Sequence, residues 1–470
     1  MALRLGFFAM LIGLYFAGGA MAAHHAPTWM LATLMGLVFI GLVAAMYLKV
    51  LPAVLALPIL AIALVSIAGM KWDNIFTTVV QDGSIRLSKW IIAAILGSVL
   101  AQVVEKTGIA QTAVKKTAEL GGDRPMVLAV LLTIVIAVLF TTLGGLGAVI
   151  MVATIVLPIL LSLGLRPLFV SCLFLLAMSL GGAFNLVNWE AYKSTLGLTQ
   201  SQIIVFALPF AGLMLITTFV FLAIEGKRMG KARYKATVTE LEGTSHPFVP
   251  WYALLTPIVP LIPVLVFALL PKINHNIPAY DFPITVALLL GILYGAVTTY
   301  RRGQSTVQLV TKSAFDGVAA VGPALVLLIG IGMVLNATMS PEVSGVISPV
   351  LARVVPHGHS TGAMVGFVVL FTIMAPLALY RGPLNLYGMG AGLIGALAPL
   401  MPAGAIMSAF MSVGMIQGVS DPTNTHNVWI ANYTNTDVQD ILKRTLGYMW
   451  ILAVAGLILG AVLYYGGVVK

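Results

Sequence analysis

The sequence predicts an all-α polytopic membrane protein of two inverted-topology repeats, each with a re-entrant helical hairpin and a broken transmembrane helix. Three observations predict it. The 470 residues are 60% hydrophobic and 9% charged, with mean hydropathy +1.04, where a soluble domain carries about 25% charged residues. Apolar stretches of about 20 residues recur along the chain, each able to cross about 30 Å of hydrocarbon as a helix. Polar, glycine-rich interruptions fall at matched positions in the two halves.

These features exclude several classes. A β-barrel would show short alternating segments, and in lipid repeated apolar runs mean helices. The formal charge of +10 reads as topogenic lysine and arginine in loops, not as a nucleic-acid surface. The single Cys172 makes no intrachain disulfide and gives no compartment signal. No CxxC, HExxH or phosphate-loop motif occurs, so motif-based routes to an enzyme, a metal site or a cofactor have no support.

The elements follow in order. Residues 1–27 hold Arg4, an apolar run from Leu5 to Phe16 and a small-residue stretch. They read either as a signal peptide or as an extra N-terminal helix. Both leave His24 and His25 off the cytoplasmic face. Spans are expected near 28–49, 50–69, 88–107, 168–183, 202–225, 250–271, 282–300, 317–338, 404–420 and 445–467. Two further apolar blocks, 125–165 and 362–402, are too long for one helix and are interrupted at Thr141–Gly147 and Tyr380–Asn385. Taken as hairpins that enter and leave on one side, they leave 17 basic residues inside and 7 outside, with Arg381 at a tip. Crossing twice would put basic loops on the wrong face. The N-terminus, if retained, is then cytoplasmic and the C-terminus external, in a bacterial inner membrane.

The polar linker 226–249 separates a first repeat, 28–225, from a second, 250–470. Each is expected to run two spans, an amphipathic stretch (73–86 and 302–316), a span, a hairpin, a broken span and a last span. Gly144 and Gly382 are 238 residues apart, and Asn188 and Asn427 are 239 apart. With an odd number of crossings per half, the two orientations are opposite, a recurring plan in secondary transporters with a midplane site.

Four interruptions are expected to meet. The first tip offers Thr141, Thr142, Gly144 and Gly145, and the first break Asn185 and Asn188. The second tip offers Arg381, Gly382 and Asn385, and the second break Asp421, Thr423, Asn424, His426 and Asn427. A desolvated anion needs donors, which half-helix N-termini, Asn and Thr supply, while unwound carbonyls and a carboxylate suit a coupling cation. One such cluster alone would read as an ordinary turn at a membrane surface. Arg381 lies inside an apolar block, where a charge costs roughly 2.5–3.5 kcal/mol and is functional by default. Its planar fork suits a carboxylate. The other readings are a snorkelling arginine or a partner of Asp421. Asp421 is a coupling group or the counter-ion of Arg381. His426 is a proton shuttle or a hydrogen-bonded bystander. Glu190 and Lys193 are expected to face water, and Trp189 and Trp429 to sit in the interfacial belt.

The run Thr141-Thr142-Leu143-Gly144-Gly145, then Leu157-Pro158-Ile159-Leu160, Leu163-Gly164-Leu165-Arg166-Pro167-Leu168, Asn185-Leu186-Val187-Asn188-Trp189 and Leu196-Gly197-Leu198, resembles the citrate–metal–proton symporter (CitMHS) family of the ion transporter superfamily. Tyr380-Arg381-Gly382-Pro383 and Ser420-Asp421-Pro422-Thr423 sit where that family has its second hairpin and second unwound helix. The resemblance covers about 28–467 in order and spacing, and gluconate permeases and C4-dicarboxylate carriers share the plan. It implies a homodimer working by an elevator movement, a scaffold and a transport domain in each protomer, and carboxylate substrates driven by H⁺ or Na⁺. Metal–citrate carriers have acidic residues in the first tip; this chain has none there, which favours a metal-free organic anion.

The expected function is cation-coupled transport of a small organic anion. An Na⁺/H⁺ antiporter on the same scaffold would need midplane acids and has little use for an arginine at the tip. A membrane enzyme or a flippase for lipid-linked sugars would need catalytic pairs or large external loops, and neither is present.

Overall fold

In hydrocarbon a chain cannot leave peptide groups unpaired, and the described residues of this one fold through helices alone. The computed structural model describes Gly13 and residues 26–466, apart from 49, 123, 229–248, 275, 279, 301–304, 357, 359, 381 and 389. The signal-like segment (Gly13 aside), most of the 226–249 linker and Arg381 lie outside the described residues.

The first half runs α1 (Thr28–Tyr47), α2 (Ala53–Ile67), a helical segment with a π-turn over 72–85, α3 (Ser88–Lys106), α4 (Ile109–Gly121), α5 (Pro125–Phe140), α6 (Gly145–Ser162), α7 (Pro167–Gly182), α8 (Leu186–Leu196) and α9 (Gln200–Arg228). The second half opens with a 3₁₀ turn (Trp251–Leu255) and α10 (Leu261–Ile273), then α11 (Ile284–Thr298), α12 (Thr306–Met339), α13 (Pro341–Leu351), α14 (Thr361–Met374), α15 (Gly390–Leu397), α16 (Ala403–Ser420), α17 (Thr425–Tyr433) and α18 (Val438–Tyr464). Among the described residues, eight helices are long and apolar enough to span a membrane, or nine with α7 and α8 counted as one bent span. Many apolar side chains face outward, among them Ile40, Phe315, Ile373 and Ile451. In water this would be an aggregation surface, and in a bilayer it is the lipid contact.

One of the expected elements differs. Residues 302–316 are not a separate amphipathic stretch: from Ser305 onward they cap and begin α12, one helix of 34 residues. Lys312 and Asp316 suggest an interface, but Asp316 pairs with Lys106 at the end of α3, so its charge is answered within the protein. The amphipathic helices of the two halves instead follow the third span, as α4 and α13. α4 buries Ile109, Ala110 and Val114 and exposes Lys115 and Leu120. The stretch 73–86 is helical as expected, burying Ile75, Val79 and Gly83.

Buried side chains gather in two apolar cores. One joins α1, α2, the 72–85 segment, the start of α3, α12 and α13. The other joins both interrupted blocks, both broken spans, α9 to α11 and α18. The halves interlock, with α12 crossing α2 and α3, and α11 packing on α3.

One polar joint fixes the second core. Glu225 of α9 is buried and accepts hydrogen bonds from Arg228 (2.8 Å), Arg444 of α18 (2.9 Å) and Tyr448 (3.0 Å). Hydrogen bonds to a charged group contribute about 1.5–3 kcal/mol, and the solvent exposure of both arginines reduces this. Glu225→Gln is expected to lower thermal stability in detergent by about 1–2 kcal/mol without changing substrate affinity. Thermal unfolding followed by tryptophan fluorescence checks this, and an unchanged midpoint would show the joint to be passive.

Candidate functional site

The first tip is made by a helix that must stop inside an apolar block. Thr141 to Leu143 close a turn on the end of α5, with Leu143 N–H donating to Leu139 O (3.1 Å). The turn ends at Gly145, whose φ of +82° is left-handed and disfavours a side chain. Gly144 caps α6 without any side-chain acceptor, and Gly144 and Gly145 are exposed. The positive end of α6 thus opens onto the tip. Thr141 turns its hydroxyl back to Val138 O (2.7 Å). Thr142 is fully buried, and its Oγ1 has no partner among the described residues.

The first broken span bends by 52° between α7 and α8. Asn185 holds the bend. Its Oδ1 accepts from Val187 N–H (3.1 Å) and Asn188 N–H (3.2 Å), capping α8. Its Nδ2 donates to Phe140 O and Leu143 O, both at 2.9 Å. One side chain therefore ties the first break to the first tip, and Leu186 N–H donates to Thr141 O (3.2 Å) beside it. Trp189 is buried, its indole N–H donating to Ala183 O (2.9 Å), so it belongs to the break and not to the interfacial belt. Glu190 is buried as well, against the expectation that it faces water.

The second break closes on itself. Asp421 is fully buried, and its Oδ1 accepts from Thr423 N–H (2.8 Å) and Thr423 Oγ1 (2.7 Å). Asn424 Nδ2 donates to Gln417 O (3.3 Å), and His426 Nε2 lies 3.1 Å from Gly418 O. Asn427 Nδ2 donates to Asp421 O (2.9 Å), while its buried Oδ1 has no partner among the described residues. Asn188 Nδ2 donates to Gly182 O (3.3 Å) in the first break. Donors and acceptors of these two bonds are both 239 residues apart, so the breaks are closed by equivalent contacts. Ser179 and Gly418 share that spacing and lie against each other: a methyl on Gly418 would stand 3.1 Å from Ser179 Oγ.

In the second tip, α14 ends in a 3₁₀ turn (Ala375–Ala378), and Tyr380 has a positive φ of 56°. Gly382 N–H donates to Leu379 O (3.0 Å), and a Cβ on Gly382 would lie 2.0 Å from Leu377 O. Asn385 Oδ1 accepts from Tyr387 N–H (2.9 Å). Tyr387 then donates its hydroxyl to Asn188 Oδ1 (2.5 Å) and packs on Trp90 at 5.2 Å. Sequence reasoning missed this tyrosine. A phenol beside Asn385 at membrane depth is its signal, but only the tertiary fold supplies its partner.

The first tip, the first break and the segment after the second tip thus form one hydrogen-bonded unit. The second break joins by packing, α17 against α6 and α16 against α7, while α8 packs on α15. Of the expected site residues, Thr141, Asn185 and Asn385 spend their side chains on the backbone. Thr142 and Asn427 keep a buried oxygen unspent. Asp421, Thr423, Asn424 and His426 lie together in the second break.

No protein-family model and no curated protein matches this chain. Its fold is similar to that of two solved transporters. The YdaH transporter of Alcanivorax borkumensis aligns with a TM-score of 0.56 at 15% identity, over 84% of this chain and 89% of that one. MtrF of Neisseria gonorrhoeae, described as illuminating a class of antimetabolite efflux pumps, aligns with a TM-score of 0.54 at 16% identity, over 86% and 85%. The likeness is one of fold, and it reaches membrane transporters without singling out the citrate–metal–proton symporters.

Proposed function

We propose that this protein is a secondary active transporter of small organic anions, mono-, di- or tricarboxylates, coupled to H⁺ or Na⁺. The observation that carries the reading is the joining of interrupted helices into one hydrogen-bonded unit in which, among the described residues, the buried Thr142 Oγ1 is left unspent, with a second unspent oxygen, Asn427 Oδ1, in the break packed beside it. A buried polar atom without a partner costs about 1–3 kcal/mol, and an incoming donor or cation relieves that cost. The exposed start of α6 adds positive potential for the anion. In this reading Gly144, Gly145, Asn188, Arg381 and Gly382 face the substrate, and Asp421 with His426 serves the coupling cation. The fold likeness to two transporters supports transport as the class.

The same reading takes the matched element order as two inverted repeats and the interrupted blocks as re-entrant hairpins. It takes the two apolar cores as a scaffold and a moving body in an elevator cycle of a homodimer.

Purified protein is expected to show a raised melting temperature with at least one of citrate, succinate or acetate, with or without Na⁺. A ligand at a hundred times its dissociation constant adds about 2.7 kcal/mol. Reconstituted protein should move that anion, and Arg381→Ala should abolish the flux. MtrF is described as an efflux pump, so flux is measured in both directions. A flat thermal response to every carboxylate, or undiminished flux in Arg381→Ala, would remove the reading.

A further inference from the structure

Glu190 is a carboxylate in a place where the chain cannot easily keep one. It sits in α8, the second arm of the first broken span, and is 4% exposed. Its hydrogen bond comes from Ser194 Oγ one turn on, at 3.3 Å, longer than the usual mode. Among the described residues no lysine or arginine reaches it within ion-pair distance, and Lys193, three residues on, is already engaged. Lys193 pairs with Asp281 in the loop before α11, and Asp281 also accepts from Gln200 N–H at 2.8 Å. α8 packs on α3, α9, α11, α15 and α16. The charges that act on Glu190 from these surroundings are Lys89 at the start of α3, Asp281, and Lys193 of its own helix.

An acid inside a membrane span is expensive to keep ionised and is functional by default. The alternative, a structural ion pair, is excluded by where Lys193 goes. Its position also matters. Glu190 lies two residues beyond Asn188, about 3 Å along the helix axis, and Asn188 is the residue that takes the Tyr387 hydroxyl. An event at the Glu190 carboxyl therefore reaches the candidate site through about half a turn of the same helix.

We propose that Glu190 carries the coupling proton. Its carboxylate binds one H⁺ as the anion binds, the neutral acid travels with the loaded site, and the same H⁺ leaves on the far side. This rests on the anion-transporter reading, names H⁺ as the coupling ion and places it on Glu190 in place of Asp421 and His426. Protonation removes the charge that would otherwise oppose movement of α8 through a low-dielectric region. Lys193, held by Asp281, stays available to neither state.

Two assays on the full chain in liposomes separate coupling from structure. The first is counterflow of radiolabelled citrate, succinate or acetate with the same anion inside, which needs no net proton movement. The second is accumulation driven by a pH gradient without Na⁺, the membrane potential clamped. Glu190→Gln should keep counterflow within about twofold of wild type while gradient-driven accumulation falls at least about tenfold. Glu190→Asp should recover part of it. Wild-type accumulation in Glu190→Gln would overturn the proposal, as would counterflow lost in step with accumulation, which is the signature of a structural role. If the wild-type protein shows no counterflow of any of the three anions, the anion-transporter reading itself has failed, and this proposal fails with it.

Discussion

Asn185→Asp is expected to leave the protein folded and to reduce anion flux by at least about tenfold, through loss of a joint worth about 2–4 kcal/mol. The substitution is isosteric, and its two halves act oppositely. The Oδ1 contacts to Val187 and Asn188 N–H survive, and an anionic cap at the positive end of α8 is favourable. The two donations to Phe140 O and Leu143 O do not survive. They become a carboxylate facing two carbonyls in a buried site, so the first tip separates from the first break. Size-exclusion chromatography should show a monodisperse protein, and radiolabelled anion flux should show the loss. Wild-type flux would mean that the tip is held by packing alone. Asn185→Ala removes all four bonds and is the harsher variant, expected to lower the yield of folded protein as well.

Gly382→Ala is expected to be the most damaging single methyl in the site. The new Cβ would stand 2.0 Å from Leu377 O, and 3.0 Å from Leu379 O. Both are backbone atoms, so no side-chain rotation relieves the clash, and the tip must open. Overpacking of this kind costs about 1–3 kcal/mol and sometimes more. Thermal stability should fall by that amount and anion flux should vanish, because Asn385 and Tyr387 are held by the same turn. The contrast is Gly144, at the matching position in the first tip. Its backbone is extended and a Cβ there meets nothing within 4 Å, so Gly144→Ala should keep wild-type stability. Equal tolerance at both glycines would show that the second tip adapts, and that its close turn is not required.

The difference between these two glycines shows what spacing can and cannot reveal. Their separation of 238 residues is visible in the sequence, and both do fall in turns inside apolar blocks. Which one is locked by a carbonyl depends on the path of the chain between Leu377 and Leu384, and no local pattern encodes that path. Asn185 and Asn424 are similarly matched, yet only Asn185 caps its helix and reaches a tip. Glu190, Trp189 and Tyr387 are the clearest cases of what the sequence withheld. Residues just past a break read as facing water or the interface, but here α3, α11 and α15 close over α8 and bury Glu190 and Trp189.

The sequence by itself determined the class, the all-helical build, the place of most long helices and the positions of all four interruptions. Hydrocarbon imposes a local rule on each stretch of about 20 residues, and glycine, proline and asparagine mark where that rule is suspended. Only the tertiary structure decided which interruptions touch, that the amphipathic helices follow the third span, and that Asp316 and Lys193 spend their charges on Lys106 and Asp281. Those outcomes rest on hydrogen bonds and ion pairs between residues 42 to 210 positions apart. Burial and partnership belong to the assembled bundle, because a side chain's surroundings are supplied by helices from elsewhere in the chain.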